Sequence, residues 1–379
     1  MKKIFILAGE PSGDIYGAEI INALKTKGNF SFIGMGGQRM IDAGMECVQP
    51  INEMNVMGFV DVLKKIFFFL DVINKIKLTI SMQRPDAVIT VDYPSFNLRI
   101  SKYAKSLGIP TFHFVAPQVW AWRQSRAKKL NHSIDHLFVF HSFELPFFKQ
   151  FMNNVYFIGN PLFGIVRKNI PDDHIIKKGG FKICLAPGSR KSEILDLLPI
   201  FMESVLLFKR MTSDPDKPEL EIVISKTQNN SLLPIYNEVN EKINSSGISC
   251  RLSIDPLETI VADCNLVLVA SGTATLVCAI AGCPMIVCYR TGNISVSIAR
   301  RLVDIPVFSL VNIVADSTSV PELEQDQTNP KIISSMIYGL YKDNNITSYI
   351  SNKLQSIIKQ KFDKSPIETA TDIISQTIS

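Results

Sequence analysis

The strongest constraint on the fold of this chain is an alternation of short apolar runs with helical segments, repeated in both halves of its 379 residues. In the first half the runs are rich in Val, Ile and Phe, and they lie at residues 4–7, 87–91, 111–115, 137–140 and 155–158. Strands that alternate with helices are typical of a parallel sheet with helices on both faces. The first half is therefore predicted to be a doubly wound α/β domain.

The alternation restarts in the second half, after Asn160-Pro161 and a polar stretch that ends at Gly179-Gly180. The apolar runs of this half lie at residues 183–186, 220–225, 248–253, 266–270 and 285–289. From residue 330 onward the pattern is helical only. A second doubly wound domain followed by helices is the simplest reading of this pattern.

We predict an α/β protein of two doubly wound, Rossmann-like domains that face a cleft, because a chain of this length suits two domains better than one. The predicted boundaries are 1–165 for an N-terminal domain, 166–345 for a C-terminal domain, and 346–379 for C-terminal helices that pack across both.

Composition narrows the class of protein. Apolar residues make up 46% of the chain and charged residues 20%, which is typical of a globular protein with a buried core. The net charge of +5 favours anionic ligands or an anionic membrane surface, but it is too small to indicate nucleic acid. We therefore expect no nucleic-acid partner.

Cysteine usage and the N-terminus bear on location. The seven cysteines are odd in number and form no C-x-x-C pair, so we expect buried thiols in a reducing compartment. The apolar run after Lys2 and Lys3 is too short for a signal peptide, and no uncharged apolar window reaches about 18 residues. The sequence thus predicts a cytoplasmic protein that does not span a membrane.

A small, turn-rich loop joins the first apolar run to a helical segment, at Ala8-Gly9-Glu10-Pro11-Ser12-Gly13-Asp14. Glycines let the backbone approach a ligand, and the start of a helix presents unpaired N–H groups to an anion or a sugar hydroxyl. Glu10, Ser12 and Asp14 are therefore candidate binding residues. The alternative is that Ser12 or Asp14 only caps the helix.

The usual signals for a dinucleotide or a metal are weak in this chain. Gly34-Met35-Gly36-Gly37 is not a dinucleotide fingerprint, because Arg39 occupies the position of the third glycine. His132 and His136 have helical spacing, but no acidic residue accompanies them as in the H-E-x-x-H zinc motif. We expect no cofactor and no required metal.

Asp92 directly follows the second apolar run, at the carboxyl end of a predicted strand. Partial burial beside Tyr93 and Phe96 would raise the pKa of its carboxyl group and suit it to act as a general base on a hydroxyl. The alternative is an N-cap for the following helix. His113 is a second candidate base, although a histidine between two phenylalanines is more often packed in a core.

Two loops of the second half suit an anionic ligand. One predicted strand leads into Pro187-Gly188-Ser189-Arg190-Lys191, and another leads into Ser271-Gly272-Thr273-Ala274-Thr275. Backbone N–H groups beside a glycine, a hydroxyl and a guanidinium can together bind a pyrophosphate. Either loop alone would be a weak signal, but two such loops at neighbouring strand ends predict one anion site.

Both tryptophans of the chain lie in one short stretch, Trp120-Ala121-Trp122-Arg123. The stretch follows a predicted strand, so it projects from the edge of the sheet where ligands bind. A large aromatic face beside a planar guanidinium suits an amphipathic, anionic ligand. The alternative is a helix start whose aromatic residues fill the core.

The segment 62–80 has more apolar surface than one buried helix face requires, and lysines edge it. This pattern is typical of a helix that enters a membrane interface or contacts an acyl chain. The alternative is a core stripe, with the remaining phenylalanines covering a neighbouring element.

As a set, these motifs resemble those of the lipid-A-disaccharide synthases, glycosyltransferases with the two-domain type-B fold. The resemblance covers nearly the whole chain, and the motifs occur in the family's order. They lie at residues 8–14, 57–62, 92–97, 117–123, 187–190 and 270–275. The resemblance implies that UDP-2,3-diacylglucosamine and 2,3-diacylglucosamine 1-phosphate are joined into a β-1,6-linked disaccharide 1-phosphate, with release of UDP and without a metal.

The resemblance also implies roles for individual residues. Asp92 becomes the base on the acceptor's 6-hydroxyl, so the first domain binds the acceptor and faces the membrane, and the second binds the UDP-sugar. The acceptor-side residues are then Glu10, Ser12, Asp14, Trp120 and Arg123. The donor-side residues are Gly188, Ser189, Arg190, Ser271, Gly272, Thr273 and Asn312.

Val277 departs from the family, which is expected to have glutamate there to hold the ribose hydroxyls. Valine cannot make those hydrogen bonds, so we expect weaker donor binding or a substitute group.

The implied partners are the two acylated sugars and the inner leaflet of the cytoplasmic membrane, with the segment 62–80 at its surface; a homodimer is left open. Two other functions also stay open: a type-B enzyme on another UDP-sugar, such as an epimerase, and a non-catalytic nucleotide-sugar or lipid-binding module. The pairing of Asp92 in one domain with Arg190 in the other favours catalysis, since simple binding does not require both.

Overall fold

The computed structural model describes the chain except residues 52, 54–61, 118–123, 169, 171–179, 213–218, 228, 291–306, 316, 362–364 and 379. The chain divides into two compact units. The first comprises Met1–Pro161 and Lys364–Ser379, and the second comprises Leu162–Asp363.

The described part of the first unit has seven strands and, before the chain enters the second unit, five helices. The strands are β1 (Lys2–Ala8), β2 (Phe30–Gly36), β3 (Met45–Pro50), β4 (Ala87–Val91), β5 (Thr111–Phe114), β6 (His136–Val139) and β7 (Val155–Phe157). The helices are α1 (Pro11–Lys25), α2 (Gln38–Asp42), α3 (Val62–Gln83), α4 (Pro94–Ser106) and α5 (Glu144–Phe148), with a 3₁₀ helix at Gln124–His132. The strands form one parallel sheet in the order β3-β2-β1-β4-β5-β6-β7.

The second unit repeats this plan with six described strands. They are β8 (Phe181–Ala186), β9 (Leu220–Ser225), β10 (Ser249–Ser253), β11 (Leu266–Ala270), β12 (Met285–Tyr289) and β13 (Glu322–Glu324). The helices are α6 (Leu162–Lys168), α7 (Lys191–Met211), α8 (Leu233–Ser245), α9 (Leu257–Ala262), α10 (Thr273–Ile280), α11 (Leu310–Ala315), α12 (Pro330–Lys342) and α13 (Asn344–Lys361), with 3₁₀ turns at Asn230–Leu232 and Gln325–Gln327. The strands pair in parallel in the order β10-β9-β8-β11-β12-β13.

Both sheets have the strand order of a dinucleotide-binding Rossmann fold, in which the order reverses beside the first strand. The reversal lies between β1 and β4 in the first unit and between β8 and β11 in the second. Ligands of such sheets bind outside the carboxyl ends of the strands at this switch point. The predicted class, with two doubly wound parallel sheets, is confirmed.

The central strands are apolar along their whole length because helices cover both faces of each sheet. Every residue of β4 and of β11 is buried. The second unit also buries four thiols, those of Cys184, Cys278, Cys283 and Cys288. Burial raises the pKa of Cys278, so its thiol stays protonated and packs as a small hydrophobic group, as predicted.

The last helix of the chain, α14 (Pro366–Thr377), belongs to the first unit, whereas α13 belongs to the second. It packs against α1, with Ala370 and Ile374 fully buried and a salt bridge between Lys27 and Asp372. The segment 346–379, treated as one group in the sequence, is therefore divided between the two units. Among the helices that the structure describes, none combines the length and apolar character that crossing a membrane requires.

Candidate active site

Strand β4 ends in two residues with a left-handed backbone. Asp92 has a φ of 52° and Tyr93 a φ of 49°, and α4 begins at the next residue, Pro94. This conformation costs a residue with a side chain about 1–3 kcal/mol and persists only where the surrounding structure imposes it. Strain of this kind is concentrated at functional sites. The fold thus holds Asp92 at the switch-point edge of the first sheet against its own backbone preference.

Four hydrogen bonds hold the strained pair. The Asp92 N–H donates to the Phe114 carbonyl at 2.9 Å, and the Tyr93 N–H donates to Asp92 Oδ1 at 2.8 Å. The side-chain amide of Asn97 donates to the carbonyl oxygens of Val91 at 3.1 Å and Asp92 at 2.7 Å. The N-cap of α4 is Tyr93, so the alternative that Asp92 serves as this cap is not what the structure has.

The loop after β1 lies beside this pair, because β1 and β4 are neighbours and Ala8 pairs with Val91. Gly9 makes room for the Tyr93 ring. A Cβ at position 9 would lie 2.3 Å from Tyr93 Cδ1, a distance that real contacts do not reach. This close approach explains why the motif at residues 8–14 has glycine at position 9, where it meets the motif at residues 92–97.

Glu10 and Ser12, at the start of α1, are both partly exposed. Burial and the negative charge of Glu10 raise the pKa of the Tyr93 hydroxyl, which puts the Glu10 carboxylate in the neighbourhood of that ring. The structure therefore brings Glu10 and Ser12 to the same sheet edge as Asp92.

Asp14 has a different place. Its carboxylate is buried and accepts the backbone N–H groups of Gly37 at 2.8 Å, Met40 at 3.1 Å and Arg39 at 3.2 Å. These are the orphan donors at the start of α2, so Asp14 caps that helix from α1. We therefore correct the expectation that Asp14 binds the acceptor: its carboxylate fastens two helices together. The capping alternative had the right chemistry but the wrong helix.

Tyr16 is a buried residue whose hydroxyl lies within electrostatic range of Asp92. The Tyr16 hydroxyl donates to Asn160 Oδ1 at 3.5 Å, and both residues are buried. Burial, and to a smaller extent the negative charge of Asp92, raise the pKa of Tyr16, so its hydroxyl keeps its proton at neutral pH.

His113 lies on β5, next to β4, and is fully buried. Its Nδ1 is 2.8 Å from Thr90 Oγ1, and burial lowers its pKa to about 4. A neutral imidazole enclosed in the sheet supports the core interpretation of His113 over that of a catalytic base. Of the two candidate bases, Asp92 is the one that is only partly buried.

In the second unit, β8 leads into the first predicted anion loop. Gly188 has a φ of 108°, a left-handed value that favours glycine, and a Cβ there would lie 2.3 Å from Glu193 Oε2. Arg190 is the N-cap of α7; its N–H donates to Glu193 Oε2 at 3.2 Å and its Nη1 pairs with Oε1 at 3.3 Å. The Arg190 side chain is 65% exposed, and ion pairs so exposed contribute about 1 kcal/mol or less. A phosphate can therefore compete for this guanidinium.

The second anion loop follows β11, the neighbour of β8, with Val269 paired to Ala186. Gly272 is the N-cap of α10 with a φ of 150°, and Ser271, Gly272 and Thr273 are partly exposed. The starts of α7 and α10 thus lie at one sheet edge, at the switch point of the second unit. Two helix N-termini carry partial positive charge toward that edge.

Asn312 does not join these loops through its side chain. It is fully buried; Nδ2 donates to the Val320 carbonyl at 2.9 Å and to Glu322 Oε1 at 2.7 Å, and Oδ1 accepts the N–H groups of Ser319 and Val320. These bonds occupy all four hydrogen-bonding positions of the amide. We therefore correct the expectation that Asn312 lines the nucleotide pocket: it fixes the turn at residues 317–320.

Three other expectations have different outcomes. Trp120 and Arg123 lie outside the described residues. Val277 is buried on α10. Weaker donor binding, or a substitute group in place of the family's glutamate, stays a prediction. Among the described residues, no group of three or more His, Cys, Asp or Glu side chains is placed to hold a metal ion.

Sequence reasoning missed the residues that support Asp92. The motif at residues 92–97 contains Asn97 but does not indicate a role for it, and the sequence singles out no role for Tyr16. The signal for Asn97 was an amide at helical spacing after a strand end, which is too common to single it out.

Comparison with known proteins identifies the family. The model of the family described as Lipid-A-disaccharide synthetase matches residues 4–377. The chain belongs to the lipid-A-disaccharide synthase family. The lipid-A-disaccharide synthase of Trichlorobacter lovleyi is 35% identical over 353 residues, covering 90% of this chain and 88% of that protein. The one from Persephonella marina is 31% identical and covers 99% of each chain.

Solved structures agree on the fold. Staphylococcus aureus MnaA in complex with UDP superimposes with a TM-score of 0.69 at 14% identity, covering 100% of this chain and 97% of that one. MurG of Acinetobacter baumannii superimposes with a TM-score of 0.59 at 13% identity, covering 99% and 100%. The predicted membership of the lipid-A-disaccharide synthases and the predicted type-B fold are confirmed, and with the family comes the predicted class, a UDP-sugar-dependent glycosyltransferase of lipid A biosynthesis.

Proposed function

We propose that this chain transfers 2,3-diacylglucosamine from UDP to the 6-hydroxyl of 2,3-diacylglucosamine 1-phosphate. The products are the β-1,6-linked disaccharide 1-phosphate and UDP, with inversion at the donor's anomeric carbon. The family supports the reaction class. The observation that carries the site is the strained Asp92 at the switch point of the first sheet.

Asp92 is assigned as the general base. Its carboxylate takes the proton of the acceptor's 6-hydroxyl while that oxygen attacks the anomeric carbon and the bond to UDP breaks. Tyr16 and His113 leave Asp92 as the negatively charged group of the three, since Tyr16 keeps its proton and His113 is neutral. Glu10 and Ser12, at the same edge, are assigned to the hydroxyls of the acceptor sugar. Trp120 and Arg123 stay proposed for the acceptor's phosphate and acyl side.

The second unit is assigned to the donor. Negative charge grows on the diphosphate as UDP leaves, so the groups that stabilise it must be positive and already in place. Arg190, with the N–H groups of Gly188 and Ser189, meets one phosphate, and the Ser271-Gly272-Thr273 turn meets the other. The partial positive charge of the α7 and α10 N-termini adds to this stabilisation.

Helix α3 is assigned to the membrane surface. It buries Val72, Ile73, Ile76 and Ile80 in the core of the first unit. On the opposite side it exposes a second apolar stripe, formed by Phe67, Leu70, Leu78 and Met82, in which Phe67 is 68% and Met82 74% exposed. At about 100° per residue these two sets lie roughly opposite each other. A core stripe alone does not explain the exposed set, and diacylated substrates held in a bilayer do.

A vesicle-sedimentation assay tests this assignment. The variant Phe67→Ser/Leu78→Ser/Met82→Ser should bind less to vesicles of zwitterionic and anionic phospholipid, and should lose turnover on vesicle-embedded substrates. The matched control is Ile254→Ser/Tyr349→Ser, which removes two equally exposed apolar side chains from the second unit. Unchanged vesicle binding and turnover in the α3 variant would exclude the assignment of α3 to the membrane surface. Such binding would support the proposed location at the inner face of the cytoplasmic membrane, and light scattering of the vesicle-free protein tests the homodimer.

The reaction itself is tested by mass spectrometry with a UDP-diacylglucosamine donor, its 1-phosphate acceptor and a chelator. We expect disaccharide and UDP in equal amounts, and no UDP release without the acceptor. An epimerised UDP-sugar would instead support the epimerase alternative, and UDP binding without any turnover would support a binding module. Arg190→Ala should raise the donor KM, because it removes a guanidinium that meets the donor diphosphate, and it should also lower kcat, because the charge that this group stabilises grows as UDP leaves.

A further inference from the structure

We propose that Asn97 is a positioning residue, which holds the backbone of Asp92 so that its carboxylate faces the acceptor hydroxyl. The inference rests on the proposed function, in which Asp92 is the base. Asn97 lies in the first turns of α4 and is fully buried. Its single amide nitrogen donates to two successive carbonyl oxygens, those of Val91 at 3.1 Å and Asp92 at 2.7 Å.

These two carbonyls belong to the peptide groups on either side of the Asp92 Cα. The orientations of those two groups define the backbone conformation of Asp92, and therefore the direction of its Cα–Cβ bond. Asp92 is in the left-handed region, with a φ of 52°, a conformation that costs free energy for a residue with a side chain and persists where the surrounding structure imposes it. One side chain that binds both peptide groups supplies this restraint. The Asp92 N–H, bonded to the Phe114 carbonyl at 2.9 Å, provides the other fixed point.

The remaining polar atom of Asn97 indicates what the residue is for. Oδ1 is buried, and it has no hydrogen-bond partner among the residues that the structure describes. A buried acceptor without a partner is unfavourable, and an apolar residue of similar volume would avoid that cost. Asn97 is therefore poorly explained as core packing. It is explained by its two donated bonds, which an apolar side chain cannot make.

Ser101 provides a matched comparison. It lies one turn further along the same face of α4 and is also fully buried. Its hydroxyl is 3.3 Å from Thr90 Oγ1, within the sheet, and makes no bond to the peptides around Asp92. Removing the Ser101 hydroxyl therefore perturbs the buried polar contacts beneath the site without releasing the base.

The test compares Asn97→Leu, Asn97→Ala and Ser101→Ala with the wild-type chain in the disaccharide assay, in UDP titration and in thermal unfolding. Asn97→Leu should lower kcat by about 100-fold, since a misplacement of about 1 Å costs that much. Its Kd for UDP should stay unchanged, because the donor is bound by the other unit. Ser101→Ala should keep kcat within about twofold of the wild type. Asn97→Ala, which removes the amide without adding any branched bulk, gives the same kcat measurement if the leucine variant does not fold.

Wild-type kcat in a folded Asn97 variant would overturn the proposal. A loss of kcat no larger than that of Ser101→Ala, or one matched by an equal loss of UDP affinity, would overturn it too, because either result indicates general disturbance. Failure of the proposed function is a separate outcome: the wild-type chain would then yield no disaccharide from the two acylated sugars.

Discussion

At the scale of single residues, the motifs at residues 8–14 and 92–97 meet in one close contact, between Gly9 and the ring of Tyr93. Gly9→Ala would place a Cβ 2.3 Å from that ring, so either Tyr93 or the loop must move. Because Tyr93 directly follows Asp92, the proposed base, we expect kcat to fall by about 10- to 100-fold and the melting temperature to drop. Steady-state kinetics and calorimetry measure both effects.

Gly339→Ala is the control for this substitution. Gly339 lies in α12 with no atom within 4 Å of an added Cβ, so alanine there should leave both kcat and stability intact or improve stability slightly. If Gly9→Ala behaved like this control, the contact would have no bearing on the site.

His113 makes stability depend on pH. Burial lowers its pKa to about 4 from an ordinary value near 6.5, so between these values the unfolded chain binds a proton that the folded chain does not. This contribution to stability is complete above pH 6.5 and is lost as the pH falls toward 4. From pH 7 to pH 5 the loss is about 2 kcal/mol, at roughly 1.4 kcal/mol per pKa unit.

Urea denaturation at pH 7 and pH 5 measures this effect. His113→Asn removes the titrating ring and retains a polar group toward Thr90, so the variant should lose less free energy of unfolding than the wild type over the same interval. Equal losses in the two proteins would mean that His113 does not carry the dependence.

What a sequence predicts at this scale is the chemistry of a residue, not its partner. Asp14 and Asn312 are polar residues for which the resemblance implies binding roles, yet their side chains form hydrogen bonds to the start of α2 and to the turn at 317–320. The partners lie between 7 and 26 positions away along the chain. Local spacing carries no information about contacts of that kind. Asp92 was predictable because its position, at a strand end before Pro94, is itself local.

At the scale of elements, α3 has one face buried in the core and an opposite apolar face that is exposed and proposed for membrane contact. Ile76 is fully buried in the core of the first unit, whereas Leu78, two positions on, is 62% exposed. Ile76→Ala should lower the free energy of unfolding by about 2–5 kcal/mol, and Leu78→Ala should change it little. Denaturation of both variants checks this, and equal losses would contradict the two-faced helix.

Some strands could be predicted from the apolar pattern of the sequence, and others could not. The central strands were predictable because burial on both faces gives them continuous apolar runs, as in β4 and β11. Strands β2, β3 and β13 were not predicted, for physical reasons. Strand β3 buries only two of its six residues, so it forms no continuous apolar run. Two glycines interrupt β2, and β13 is a three-residue edge strand with glutamate at both ends. The sheet neighbours that define these strands lie far away in sequence.

At the scale of the whole molecule, the chain returns to its first unit after completing the second. Helix α14 buries Ile374 against that unit, while the adjacent Ile373 is only half-buried. Ile374→Ala should cost about 2–5 kcal/mol and Ile373→Ala clearly less. The variants are compared by thermal unfolding, and an equal effect at both positions would argue against docking of this helix. A sequence that ends in helices cannot reveal this return, because the pattern of a helix does not say which core it covers.

Both units have the same order of strands around the switch point. In each unit the motif residues follow the strands that flank the switch point, which is why loops far apart in sequence act at one edge. The fold and the main site loops were therefore predictable from the alternation and the motifs. The hydrogen bonds that hold those loops in place were not predictable, since they join residues that meet only in the folded chain.

The central claim, that Asp92 is the base of a disaccharide-forming transferase, is tested most directly by Asp92→Asn. This substitution keeps the shape of the side chain and removes its ability to take a proton. We expect kcat to fall by about 10²- to 10⁴-fold, the usual contribution of a general base, with an unchanged Kd for UDP. Wild-type turnover in a folded Asp92→Asn protein would contradict it.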